Sequence, residues 1–453
     1  MPLFKKGSKR QPSNYRPVSL TAICGKILEK IFRDDIVKHL EVNKIYNIHQ
    51  HGFRNGRSCL TQLLEVIELW SKIFDNANSW DTVYLDFAKA FDSVPHKRLI
   101  KKVEAVGIRG KVLEWIKDFL KNRKQRVVLG NSKSEWAEVT SGIPQGSVLG
   151  PILFVIFIND MPNSISSTIK IFADDTKIFR ALRSVNDITA MQADIHNILL
   201  WSTKWQLPFN IPKCKILHYG KNNPEFTYSM DNTPMKEDVT EKDLGVTFDT
   251  DFNFRSHIQQ IVAKANSRVG IIKRTFVSIN KKNVNILYKS LVRPIIEYCS
   301  QVWSPYIQRD INEIEKVQHR ATKLVQGLGE LSYEDRLKQL NLPTLAYRRM
   351  RADILQTFRI LNGFDNLKAS DFFALNTNNI TRGHHMKILK PLSNTKLRQH
   401  TFSQRVINCW NSLPDEAVNC ETINSFKTAL EKHWKTVPLK FDPLGTSPMS
   451  LHQ

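Results

Sequence analysis

The chain has 453 residues, with 66 lysines and arginines against 43 aspartates and glutamates, a formal charge of +23. At 41% hydrophobic and 9% aromatic it has ample material for a core, which excludes a disordered basic tail. Its length suits two or three packed units rather than one. A folded protein this basic meets a polyanion, nucleic acid first, because phosphate offsets its self-repulsion. Cys24, Cys59, Cys214, Cys299, Cys409 and Cys420 form no CxxC pair, which argues against a zinc ribbon or a secreted disulfide framework and for a reducing compartment. Residues 1–20 are polar and basic, with no signal-peptide core. The longest apolar run, Ile152 to Ile158, is far below the roughly 20 residues of a membrane helix. The expectation is an intracellular chain, nuclear or cytoplasmic, with no membrane partner.

In chain order, residues 18–41 read as a helix, with Leu20, Ile23, Ile27, Ile31 and Leu40 near helical spacing, and 60–74 read likewise. Asp81 to Phe87 is a short β-rich run with a carboxylate, Asp86, at its end. Pro95 opens a helix bearing Leu99 and Val103, and Val112, Trp115, Ile116, Phe119 and Leu120 mark another. Arg126 to Leu129 and Trp136 to Thr140 read as paired strands around a Gly130-Asn131 turn. The glycine- and proline-punctuated stretch Gly142 to Pro151 leads into an apolar helix ending at Asn159. Residues 168–179 form two β-like runs flanking Asp174-Asp175, and 185–205 a helix with Trp201 and Trp205, both read as core. Lys215 to Tyr219 and Leu244 to Phe248 are further short strands. Beyond residue 255 the chain turns helical and basic, with Ile258, Ile261, Ala265, Val269 and Ile272 on one face. The last hundred residues are mixed, with polar loops around 376–379 and 383–385 and fraying expected from Pro438.

Three carboxylates carry the chemistry. A strand-end Asp86 beside a turn holding Asp174 and Asp175 would bring like charges together, which is costly unless cations neutralise them. Hard oxygen donors suit Mg²⁺, and a pair of such ions activates a hydroxyl and stabilises a pyrophosphate leaving group. The competing reading is that Asp-Asp is an ordinary turn dipeptide and Asp86 a cap.

Taken in order, the segments resemble the reverse transcriptase of non-LTR retrotransposons, in the style of the jockey-type clade. Asn14-Tyr-Arg-Pro-Val-Ser-Leu20 and His51-Gly-Phe-Arg-Asn-Gly-Arg-Ser-Cys59 look like its two fingers motifs. Tyr84-Leu-Asp-Phe-Ala-Lys-Ala-Phe-Asp-Ser-Val94 is similar to palm motif A, Gly142-Ile-Pro-Gln-Gly-Ser-Val-Leu-Gly-Pro151 to motif B and Phe172-Ala-Asp-Asp175 to motif C. Trp201 to Asn210 with Lys213 and Cys214 resembles motif D, and Asp243-Leu-Gly-Val246 the hairpin after it. The likeness covers roughly 1–255 and continues more loosely through His319 to Leu324 and Trp410 to Pro414.

This resemblance implies an α+β right hand: partial fingers (1–80), a palm with an antiparallel sheet (81–254), a helical thumb (255–330), a mainly helical C-terminal region (331–437) and a tail. It implies an RNA template, a DNA primer or RNA–DNA duplex, dNTPs and two Mg²⁺ ions, with Mn²⁺ as a substitute. Asp86, Asp174, Asp175 and the Phe87 carbonyl would hold the metals. Arg16 matches the arginine that clamps the triphosphate, where a bidentate donor outdoes a point charge, and Lys6 is a candidate partner. Phe91 matches the steric gate against a ribose 2′-hydroxyl; its competing reading is a core phenylalanine. Gln145 would meet the incoming nucleotide, with Gly146 letting backbone approach. Lys213 sits where motif D supplies a general acid, and Lys215 is near enough to leave that assignment open. Arg54 and Arg57 would touch template phosphate, and Lys264, Arg268, Lys273 and Arg274 would grip a duplex. Relatives of this type carry an endonuclease and more fingers sequence upstream, so the chain reads as an N-terminally truncated copy with an intact chemical centre. The alternative is a catalytically silent nucleic-acid-binding remnant.

Overall fold

The computed structural model describes residues 2–5, 7–76, 78–376 and 383–445; Lys6 and most of the polar loop expected at 376–379 lie outside them. The chain forms two compact units, Met1–Arg54 with Trp80–His218 and Asn223–Asp238, and Asn55–Ser79 with Tyr219–Asn222 and Val239–Gln453. The Cys59–Asp75 helix, counted with the fingers in the sequence reading, is thus grouped with the C-terminal part.

The first unit is built on a five-stranded sheet in the order Lys236–Glu237, Lys215–Tyr219, Ser79–Leu85, Asp175–Leu182, Thr168–Phe172. The last two strands are antiparallel, but Lys215 pairs with Lys236 in parallel, so the sheet is mixed rather than antiparallel throughout. The central strand is buried along nearly its whole length, as a strand covered on both faces must be. Asp81 within it is fully buried and accepts from His218 Nδ1 at 2.7 Å, Asn223 Nδ2 at 2.8 Å and the Tyr228 hydroxyl at 2.8 Å, so its desolvated charge is satisfied.

Helices Ile23–Val42, His96–Ala105, Gly110–Leu120, Gly150–Ile158 and Val185–Trp205 contribute to one hydrophobic core with the strands. Gly150–Ile158 is apolar on every side and almost wholly buried, as such a helix has to be. The two amides just ahead of its first turn are held from afar: the buried Glu29 carboxylate accepts from Val148 N–H at 2.6 Å and Leu149 N–H at 3.0 Å. That dependence turns the Ile23–Val42 helix. Glu29, Ile36 and Leu40 face inward, whereas Leu20, Ile23, Ile27 and Ile31, expected to share a buried face with Leu40, are exposed.

The second unit holds the antiparallel pair Thr240–Asp243 and Val246–Asp249 and a helical body that includes Cys59–Asp75, Arg255–Thr275, Gln308–Thr322, Leu345–Leu361 and Ile423–His433. Trp70 packs on Tyr219, Phe248 and Phe252. Glu68 and Arg398, both buried, form a two-pronged ion pair at 2.8 and 2.9 Å. Fraying does not begin at Pro438: Thr344, capping the Leu345–Leu361 helix, donates its hydroxyl to Leu439 O at 2.6 Å and its amide to Lys440 O at 2.9 Å.

Candidate active site

The central strand ends at Leu85, and Asp86 follows where the chain leaves the sheet. Its carbonyl accepts from Asn210 N–H at 2.7 Å, and the Phe87 ring stacks on Phe209 at 4.4 Å. These contacts fasten the segment after the helix Val185–Trp205 beside the strand end and bring Lys213 to it. Lys213 Nζ stands 3.3 Å from Asp86 Oδ2, both partly exposed. Lys215 is directed elsewhere, 3.0 Å from Asp238 Oδ2, which separates two lysines that spacing alone could not.

The neighbouring hairpin pairs Phe172 with Asp175, so its two-residue turn is Ala173-Asp174, with Ala173 at φ 55. Asp175 is not in the turn; it is the exposed first residue of the following strand. Gln50 supports the turn: its Oε1 accepts from Ala173 N–H at 3.1 Å and from Gly52 N–H at 2.7 Å. Gly52 lies so close that a Cβ would sit 2.6 Å from Ala173 N, so only glycine fits there.

Burial raises the pKa of Asp174, and the charge of Asp86 raises it further, while Arg16 and Lys5 pull it down. Asp86 and Asp174, drawn from separate strands, therefore feel one another's charge. Among the described residues no group of three or more His, Cys, Asp or Glu side chains is arranged to hold a metal ion; of the three expected carboxylates, Asp86 and Asp174 interact electrostatically, while Asp175 opens the next strand. By donor chemistry Asp86 and Asp174 still suit a hard divalent cation, since two carboxylates in mutual repulsion gain from one.

Arg16 is exposed on the short antiparallel ribbon Pro2–Phe4 with Tyr15–Pro17, opposite Leu3. Lys5 is a lysine whose charge reaches the site; Lys6, the candidate from sequence, lies outside the described residues. Both Arg16 and Lys5 also act on Asp92, whose carboxyl is pushed upward by burial and eased downward by the Gln145 hydrogen bond and these cations. Gln145 Nε2 donates to Asp92 Oδ1 at 3.0 Å, and Ser19 N–H donates to Gln145 O at 2.7 Å. Gly146, at φ 109, admits this approach; a Cβ there would meet Ser19 O at 2.8 Å. Phe91 is part-buried, its ring stacked on Phe154 at 4.5 Å and its carbonyl accepting from Ile143 N–H at 2.7 Å. Asp92 and Gln50 were missed in the sequence; their signal was only adjacency to motifs, Asp92 next to Phe91 and Gln50 just before His51.

Arg54 is engaged internally, donating to Asn47 O at 2.9 Å with its guanidinium over the Tyr46 ring. Within the second unit, Arg57 pairs with Glu65 at 2.8 Å, both largely shielded. These bonds anchor each arginine in its own loop. Lys264, Arg268, Lys273 and Arg274 are exposed along the Arg255–Thr275 helix, opposite the buried Ile258, Ile261, Ala265, Val269 and Ile272. Trp201 is a core residue, as expected, and Trp303 is buried as well. No described helix is long and apolar enough to cross a membrane.

Residues 4–248 match the family model of the reverse transcriptase (RNA-dependent DNA polymerase). The chain is 27% identical over 332 residues to the probable RNA-directed DNA polymerase from transposon X-element of Drosophila melanogaster, covering 70% of this chain and 36% of that one. It is 28% identical over 334 residues to the RNA-directed DNA polymerase from mobile element jockey of Drosophila funebris, covering 69% and 36%. It thus spans about a third of the length of these relatives. A telomerase structure from Candida albicans aligns with 70% of this chain and 58% of its own at 10% identity and a TM-score of 0.41. With more than half of its residues inside the family model, the chain belongs to the reverse transcriptase (RNA-dependent DNA polymerase) family.

Proposed function

We infer that this chain is the polymerising part of a non-LTR retrotransposon RNA-directed DNA polymerase, adding dNTPs to a primer 3′-hydroxyl on an RNA template. The observation that carries the reading is the shared field of Asp86 and Asp174 with Arg16 and Lys5 at the end of the central strand, with Lys213 in contact with Asp86.

The reverse transcriptase family uses divalent metal ions; here Asp86 and Asp174 would hold Mg²⁺, with the Phe87 carbonyl and Asp175 as further proposed donors. Bound there, Mg²⁺ or Mn²⁺ supplies Lewis acidity at the phosphate and primer oxygens. Arg16 and Lys5 take the triphosphate, the arginine by paired N–H donors. Gln145, held by Asp92, positions the nucleotide. Phe91, braced on Phe154, bars a ribose 2′-hydroxyl because a stacked ring cannot swing aside. The primer hydroxyl gives its proton to solvent as its oxygen bonds to the α-phosphorus and the bond from that phosphorus to the bridging β-phosphate oxygen breaks. Lys213 donates a proton to the departing pyrophosphate. Lys264, Arg268, Lys273 and Arg274 hold duplex phosphates without reading sequence.

Primer extension tests this. A DNA primer on an RNA template should grow with dNTPs and Mg²⁺, stop on chelation, and accept ribonucleotides measurably better in Phe91→Val. Extension by wild type with ribonucleotides as readily as with dNTPs would contradict the gate and the substrate together.

A further inference from the structure

Between motifs A and B the first unit projects an arm that the proposed chemistry does not use. Lys124–Gln125 pairs with Ala137–Glu138 and Val128–Leu129 with Ser132–Lys133, forming ribbons outside the central sheet. Nearly every residue from 121 to 140 is exposed. At the middle of the arm stands Trp136, 58% exposed, in a unit whose Trp80 is fully buried and Trp201 nearly so. A tryptophan left in water forfeits a large hydrophobic gain, so its exposure calls for a partner. Extending the register by one step sets Arg126 opposite Trp136, and the Arg126 guanidinium lies over the indole at 4.6 Å. Alternation along the ribbon puts Lys124 on the same face. Lys121, Arg123 and Lys133 add charge, against Glu135 and Glu138 alone.

The arm is rooted at the active site. Ser141 Oγ, just past its second strand, donates to Asp92 O at 3.2 Å, and Gly142 N–H donates to Val94 O at 2.8 Å. Arg123, at its other root, interacts with Glu29, the residue that caps Val148 and Leu149. Trp136 lies nine positions before Gln145, at most about 30 Å of chain.

We propose that this arm is a docking surface for the unpaired RNA template, with Trp136 stacking on a base while Arg126, Lys124 and Lys133 meet phosphates. An indole needs an open base face, which an unpaired strand offers along its whole length and a duplex offers only at its ends. The surplus of cations favours a polyanion over an apolar protein surface. The inference rests on the polymerase reading for the identity of the strand, but not for its test.

The test is fluorescence anisotropy of a fluorescein-labelled oligouridylate with the full chain, in EDTA and without dNTPs. Trp136→Ala should weaken binding by about tenfold or more, the usual scale for losing one stacked base, while Trp136→Phe keeps most of the affinity. A long blunt-ended RNA duplex, which exposes base faces only at its two ends, should show a far smaller loss. Equal oligouridylate affinities for wild type and Trp136→Ala overturn the proposal. So does sedimentation in which Trp136→Ala converts a dimer to a monomer with RNA affinity unchanged, which would make the arm a contact between copies. Since neither metal nor nucleotide is present, a chain that fails to polymerise leaves this result readable, and failure here leaves the polymerase reading standing.

Discussion

Lys213 and Lys215 differ by two residues in sequence and by their entire surroundings in the fold. One faces Asp86, the other Asp238. Lys213→Ala should lower kcat by about 100-fold, the lower range for losing a general acid, with little change in dNTP KM. Lys215→Ala should stay near wild type; pre-steady-state extension of both variants distinguishes them. Asp174 gives a second residue-scale expectation. Its carboxyl titrates above the usual 3.8, mainly through burial and then through Asp86. A carboxylate raised in the folded state binds protons more readily there, so its contribution to stability is present at low pH and is lost as pH rises through that raised value. In metal-free buffer near neutrality Asp174→Asn should therefore melt higher than wild type, by about 2 °C, and added Mg²⁺ should raise wild type alone. Thermal melts with and without EDTA check both. Asp86, Asp174, Gln145 and Lys213 could be singled out as candidates because each sits inside a short motif. Gln50 was not, because its partner Ala173 is 123 positions away and nothing local marks a buried amide that props a turn. Arg54 and Arg57 show the converse limit: charge type names a cation but not the carbonyls or carboxylate that already occupy it.

Helices and strands were read well wherever periodicity was strong: 185–205 matches Val185–Trp205, and Lys215 to Tyr219 is a strand as expected. The face of a helix was harder. Ile23–Val42 carries aliphatic residues on two sides, and spacing cannot tell which side docks. The decision falls to Glu29, whose carboxylate caps amides 119 and 120 positions away. Glu29→Ala leaves those two donors, one buried and one part-buried, without that acceptor and should cost about 1–3 kcal/mol, read as a lower denaturation midpoint, with Glu29→Gln less severe. In the second unit Arg398→Ala strands the buried Glu68 carboxylate and should cost about 3–5 kcal/mol. Hydrogen bonding and charge from Arg398, with Lys72, outweigh burial and hold Glu68 below its usual titration range. The stability it gives is thus present above the ordinary glutamate value and is lost as pH falls through the depressed one. Urea midpoints measured down the acid range should converge for wild type and Arg398→Ala.

At the scale of the whole molecule, the charge of +23 pointed to nucleic acid before any motif did, but not to where it would bind. The Arg255–Thr275 helix has an apolar face that is buried and a basic face that is open. Replacing Lys264 and Arg268 by alanine should weaken duplex binding evenly across sequences and reduce the slope of log affinity against log salt by about one per removed contact. The division into units was the least legible feature, because Cys59–Asp75 is grouped with residues that follow it by hundreds of positions. The central claim is that Asp86 and Asp174 together form the chemical centre, and a paired measurement on Asp174→Asn tests it most directly. Extension of a DNA primer on an RNA template with dNTPs and Mg²⁺ is to be followed beside affinity for the same primer–template. The account predicts extension lost by at least about 1000-fold, on the order expected when a principal catalytic group is removed, with affinity retained. Extension by Asp174→Asn at the wild-type rate would contradict it.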